Sequence, residues 1–183
     1  MNVSKLVIHS VKNLYKSKGL IMNNSHSDLF SKFENLGIST ETFEHEPVFT
    51  VEEAQALRGK IEGGHCKNLF LKDKNSDFWL IVCLEDKRID LKLLPEKIGA
   101  GKLSFAKPEL LMELLGVEPG SVTPFAVLND VGGRVRVILD SDMMALEKLN
   151  FHPLKNTATT SIRSADLLLF LTAMDHSPKI VAL

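Results

Sequence analysis

The chain has 183 residues and 44% hydrophobic content, enough for one well-buried domain and short for two. Its formal net charge of -1 and isoelectric point near 6.6 argue against a duplex-DNA grip, which would need many lysines and arginines. Cys66 and Cys83 are too few for a disulfide framework or a complete zinc site, which fits a reducing cytosol; no apolar run approaches the roughly 20 residues of a membrane span.

Residues 1–22 carry Lys5, Lys12, Lys16 and Lys18 and no acid. They read as a flexible basic extension, or as sequence upstream of a true start at Met22, ahead of a functional domain over 23–183. Leu29, Phe30, Phe33 and Leu36 then form one apolar helical face, which Gly37 closes with a left-handed cap. A short strand is expected within Ile38 to Glu46. Thr50-Val51-Glu52-Glu53 has capping-box spacing and starts a second helix running to about Leu57. His45 lies among Glu41, Glu44, Glu46, Glu52 and Glu53, which reads as a solvated acidic rim rather than a metal site.

Gly63-Gly64 breaks the chain. His65 to Lys72 and Phe78 to Leu84 are apolar runs around a polar connection at 73–77, which is a hairpin pattern. Alternation puts Lys67, Leu69 and Leu71 on one face and Cys66, Asn68, Phe70 and Lys72 on the other. Lys67 therefore stands at the mouth of an apolar pocket or snorkels to the surface. A turn at Asp86-Lys87-Arg88 precedes a helix over Asp90 to Ile98 interrupted by Pro95, a short strand over Lys102 to Ala106, and a helix opening at Pro108. Ten basic residues against seven acids between Lys60 and Lys107 make a modest patch, suited to a short RNA backbone.

The stretch from Gly116 to Asp130 packs two glycines and two prolines into its first nine residues, so its backbone must turn. The N–H groups of Ser121, Val122 and Thr123 could converge there on an anionic oxygen, with a plain helix-to-strand connection as the alternative. Arg134 to Leu139 alternates and predicts a half-exposed strand. Asp140 or Ser141 caps a short helix carrying Met144, Leu146 and Leu149. In the next loop Pro153 holds His152 out of the helical region, and Asn156 and Thr157 add amide and hydroxyl donors. A strand over Thr159 to Ile162, a helix over Ser164 to Met174 and a strand over Lys179 to Leu183 complete the chain.

Three stretches now stand out: Gly64-His65-Cys66-Lys67-Asn68-Leu69-Phe70-Leu71, Gly120-Ser121-Val122-Thr123-Pro124 and His152-Pro153-Leu154-Lys155-Asn156-Thr157. In this order and spacing they resemble the YbaK/ProX family of aminoacyl-tRNA deacylases, which are similar to the editing insertion of bacterial prolyl-tRNA synthetase. The resemblance runs from about Asn23 to Leu183. It implies a single compact α/β domain with a mixed, barrel-like β-sheet surrounded by helices, and hydrolysis of the ester of a mischarged tRNA. It gives Lys67 and His152 catalytic roles, and substrate contacts to Asn68, Gly120, Ser121, Val122, Thr123, Pro124 and Asn156. The Lys67-Asn68 pair resembles the branch that clears alanine from proline tRNA; the branch that clears cysteine has Lys-Thr there.

No metal or cofactor is implied, and with no recognisable nucleophile motif the attacking group is a water, oriented by the ribose hydroxyl or by His152. The implied partner is the acceptor end of mischarged proline tRNA, met by a cytoplasmic monomer, with prolyl-tRNA synthetase or an elongation factor as transient partners. A cysteinyl-tRNA deacylase and a non-catalytic tRNA- or synthetase-binding module remain as alternatives.

Overall fold

The computed structural model describes residues 23–46 and 61–183. The basic extension and the helix expected from Thr50 lie outside the described residues. Helix α1 (His26–Asn35) starts at a reciprocal cap, in which Ser25 accepts from the Asp28 N–H and the Asp28 carboxylate accepts from the Ser25 N–H. It buries Leu29 and Phe33 and stops at Gly37, whose φ of 67° is left-handed as its sequence position predicts.

Strand β1 (Glu41–Glu44) is followed by β2 (Gly64–Asp73) and β3 (Phe78–Leu84), which pair antiparallel from Cys66↔Leu84 to Lys72↔Phe78. Then come α2 (Leu94–Ile98), β4 (Leu103–Phe105) and α3 (Pro108–Leu115), with Pro95 and Pro108 in the first turns of their helices. Pro95 thus opens α2 rather than interrupting a longer helix over Asp90 to Ile98, because residues 91–93 form a turn ahead of it. A 3-10 helix (Pro124–Asn129) leads to β5 (Val135–Asp140), α4 (Ser141–Met144), β6 (Lys148–Phe151), β7 (Ala158–Arg163), α5 (Ser164–Ala173) and β8 (Lys179–Val181). The strands form one mixed sheet in the order β1-β7-β6-β2-β3-β5-β8, with β4 added to β2.

The core lies in two clusters. The larger holds Phe33, Phe125, Phe151 and Phe170, whose rings meet edge to face at centroid distances of 5.1 to 5.7 Å. The smaller is built from Leu71, Trp79, Ile81, Leu94, Ile98, Leu103 and Ile138. Strand β2 divides them: Cys66 and Phe70 pack with the larger cluster, Leu69 and Leu71 with the smaller. Lys67 and Asn68, adjacent in sequence, therefore leave the strand on opposite faces.

Two expectations are corrected. Strand β5 is half-exposed only at its start, because the smaller cluster covers Ile138 and leaves Arg136 as its one exposed residue. The helix expected to carry Leu149 stops at Met144, and Lys148–Phe151 is a strand instead. Pairing of β6 with β2 and β7 on its two sides outweighs local helical preference there.

Candidate active site

Asn68 connects the first two of the three marked stretches. Its Nδ2 donates to the Val122 carbonyl at 2.9 Å, tying β2 to the loop after α3. Its Oδ1 is buried with no hydrogen-bond partner among the described residues. In the tied loop Gly120 has φ 91°, while nothing stands within 4 Å of where a Cβ would be. Glycine is needed there for backbone conformation rather than for space. The Ser121 N–H donates to the Glu118 carbonyl at 3.0 Å, closing the turn. It is thereby withdrawn from the group of three N–H donors expected from sequence; those of Val122 and Thr123 have no acceptor among the described residues. The Thr123 hydroxyl accepts from the Phe125 N–H at 3.4 Å, and buried Pro124 opens the 3-10 helix, so the loop is fixed at its far end.

On the other face of β2, the half-buried Lys67 ammonium donates to the Glu85 carbonyl at 3.0 Å and to the Lys87 carbonyl. It forms no ion pair with a carboxylate among the described residues. Two neutral acceptors hold the charge in place without cancelling it.

His152 lies at the same end of the sheet. The parallel register of β2 and β6 is Gly64↔Leu149 and His65↔Asn150, so Lys67 and His152 each stand two residues past the last pair. His152 Nδ1 donates to the Ala158 carbonyl at 2.8 Å, which fixes the proton on Nδ1 and leaves the Nε2 lone pair to face a ligand. Burial, reinforced by the nearby His45, holds its pKa below the ordinary histidine value despite that bond.

His45, assigned from sequence to an acidic rim, belongs to this cluster. Its ring centroid is 6.1 Å from that of His152, its Nε2 bonds the Thr159 hydroxyl at 3.0 Å and its Nδ1 bonds the Glu46 carbonyl at 2.9 Å. The signal available was strand alternation, which puts His45 on the face of Phe43. Lys155 ties the His152 loop to β1 through both Glu44 carboxylate oxygens at 2.9 Å. Asn156 is half-buried in this loop, and no hydrogen bond joins it to Asn68 among the described residues.

The cysteines are not poised as nucleophiles. Burial pushes the Cys66 thiol far up and the Cys83 thiol to about 11, so both are protonated at neutral pH.

Residues 45–170 match the model of the aminoacyl-tRNA editing domain. The chain is 38% identical over 160 residues to a mouse protein named prolyl-tRNA synthetase associated domain-containing protein 1, covering 85% of this chain and 94% of the other. It is 36% identical over 156 residues to the prolyl-tRNA editing protein ProX of Acetoanaerobium sticklandii, covering 85% and 95%. A crystal structure of a candidate trans-editing enzyme for prolyl tRNA synthetase superposes with a TM-score of 0.63 at 20% identity, over 86% of this chain and 95% of that one; at this identity the match speaks for the fold.

Proposed function

The chain belongs to the aminoacyl-tRNA editing domain family, and from that premise we propose that it hydrolyses mischarged proline tRNA, with alanine as the amino acid removed. The observation that supports this reading is the bond from Asn68 to the Val122 carbonyl, which ties together two of the three stretches across 54 residues of sequence. The Lys67-Asn68 pair supports alanine over cysteine.

A proline pocket excludes alanine poorly, because missing methylenes are worth only about 1–3 kcal/mol of discrimination. A second, smaller site corrects the error by admitting alanine and rejecting the proline ring. In the reaction a water oxygen bonds to the ester carbonyl carbon, negative charge collects on the former carbonyl oxygen, and the bond to the ribose oxygen breaks as that oxygen takes a proton. The N–H groups of Val122 and Thr123 are the donors for the charged oxygen. The Lys67 ammonium, on the opposite face of β2 from that loop and paired with no carboxylate among the described residues, serves a substrate phosphate rather than the oxygen held by the loop. Neutral His152, with its Nε2 lone pair free, or the neighbouring ribose hydroxyl takes the proton from water.

Parallel deacylation of proline tRNA charged with alanine, cysteine, serine or proline tests the assignment. Alanine released fastest, with proline spared, is the expected result. Faster release of cysteine would transfer the assignment to a cysteinyl-tRNA deacylase, and no turnover of any substrate would leave a binding module.

A further inference from the structure

Lys67 has a carboxylate neighbour that it does not use. Lys67 pairs with Cys83 across β2 and β3, and the β3–β5 ladder ends at Val82↔Leu139, so in the same register Cys83 stands level with Asp140. Lys67, Cys83 and Asp140 thus form one row across three strands on one face of the sheet. At the usual strand spacing the Lys67 and Asp140 Cα atoms are about 10 Å apart, within reach of a flexible four-carbon stem. The buried Cys83 thiol between them is close enough to feel the charges of Lys67, Asp140 and Lys87.

Asp140 is fully buried, and a cation other than Lys67 holds it. The Lys87 ammonium reaches Asp140 Oδ1 at 2.6 Å and the exposed Asp142 at 2.8 Å. Asp140 also accepts from the Leu183 N–H at 3.3 Å and the Met143 N–H at 3.4 Å. Through its carbonyl, the same Lys87 offers Lys67 a neutral acceptor. One residue therefore supplies the charge for the buried carboxylate and the uncharged seat for the other lysine.

We propose that Lys87 is a positioning residue that occupies Asp140 and so keeps the Lys67 ammonium unneutralised for an anionic group of the substrate. Without Lys87, a buried carboxylate without its counter-ion would be left in the same row as a cation held only by neutral acceptors, and the two would pair. The effect on catalysis rests on the reading of Lys67 as a substrate-facing charge; the capture of Lys67 by Asp140 does not.

The test compares Lys87→Met, Lys87→Arg, Asp140→Asn and the double variant Lys87→Met with Asp140→Asn. The expected kcat/KM on alanyl-proline-tRNA falls at least tenfold in Lys87→Met, stays within about threefold of wild type in Lys87→Arg and Asp140→Asn, and recovers in the double variant because no carboxylate remains to capture Lys67. A purely structural role predicts that kcat/KM only follows thermal stability across the four variants; a loss in Lys87→Met that tracks its loss of stability, or a double variant no better than Lys87→Met, would overturn the proposal. Should Lys87→Met not fold, Lys87→Gln is used in both backgrounds with the same expected order. Crystal structures of the variants give a readout independent of activity: the Lys67 Nζ moves to within about 4 Å of an Asp140 carboxylate oxygen in Lys87→Met and stands on the carbonyls of residues 85 and 87 in the double variant. A Lys67 that keeps its two carbonyl partners in Lys87→Met overturns the proposal even with a fully active enzyme. A wild type inactive on every charged tRNA, with this movement intact, removes the deacylase reading and leaves the Lys87 arrangement standing.

Discussion

Asn68 donates its side-chain amide to the main-chain carbonyl of Val122 at 2.9 Å, so a strand residue sets the position of a loop whose own backbone has a left-handed glycine at Gly120. The loop is held at its start by the Ser121 to Glu118 turn bond and at its end by the Thr123 cap, and Asn68 fixes its middle. Positioning of this kind keeps donors where charge develops, instead of ordering them during the reaction.

Asn68→Asp keeps the shape of the side chain and turns the donor facing the Val122 carbonyl into an acceptor. The mismatch should cost about 1–3 kcal/mol of local stability. Alanyl-proline-tRNA deacylation should fall at least tenfold, and hydrogen exchange should quicken at residues 120–124 with little change at the centres of β2 and β3. Exchange unchanged in the loop would mean that Asn68 does not hold it.

Lys67→Ala removes a charge whose protein partners are two carbonyls, so the fold loses little. Loss of a charge-assisted contact to substrate is worth about 1.5–3 kcal/mol, or roughly 10- to 150-fold in kcat/KM. Steady-state kinetics beside thermal unfolding separates the two quantities. Unaltered kinetics would return Lys67 to an ordinary surface lysine.

His152 has a folded pKa below the ordinary value, through burial and the neighbouring His45, so it is neutral at pH 7 and becomes cationic only as pH falls below about 6.5. If its Nε2 takes the proton from water, the ratio of wild-type to His152→Ala rates should be flat above about pH 6.5 and shrink toward one in acid. A large ratio that does not vary with pH would assign His152 to positioning and leave proton transfer to the ribose hydroxyl.

The second titratable feature concerns stability. His176 Nε2 meets Asp130 Oδ2 at 3.0 Å, both residues are buried, and Asp130 also accepts from the Val135 N–H at 2.7 Å. Burial opposes both charges, yet the mutual bond raises the His176 pKa and lowers that of Asp130. The histidine's contribution is complete below its unfolded pKa of about 6.5 and is lost as pH rises through its higher folded value. The aspartate's contribution is complete above about 3.9 and is lost as pH falls through its lower folded value. Asp130→Asn should therefore cost most near pH 5, about 3–5 kcal/mol for a broken buried pair, and less at pH 9. Denaturant unfolding at the two pH values measures this; equal losses would mean that the pair is not ionised in the folded protein.

The β2–β3 hairpin was legible because two apolar runs flank an unbroken polar segment at 73–77, and its alternation placed Lys67 and Asn68 on their faces correctly. β6 was not legible: Leu149 and Phe151 alternate over only four strand residues soon after a capped helix, and one of the two strands that flank it, β2, is remote in sequence. The Gly120 turn was visible in its glycines and prolines, but the loss of Ser121 to a bond with Glu118 depends on backbone geometry that composition does not carry. Contacts to main-chain carbonyls hid the setting of Lys67, since any residue at 85 and 87 could supply them. His45 was masked by the surrounding glutamates, whose composition outweighed a two-residue strand alternation.

The most direct test of the account is single-turnover hydrolysis of alanyl-proline-tRNA and prolyl-proline-tRNA at saturating enzyme, where chemistry is separated from binding. The account predicts rapid release of alanine and a prolyl ester that decays no faster than in buffer. Equal hydrolysis of the two esters, or an alanyl ester as long-lived as in buffer, would contradict it.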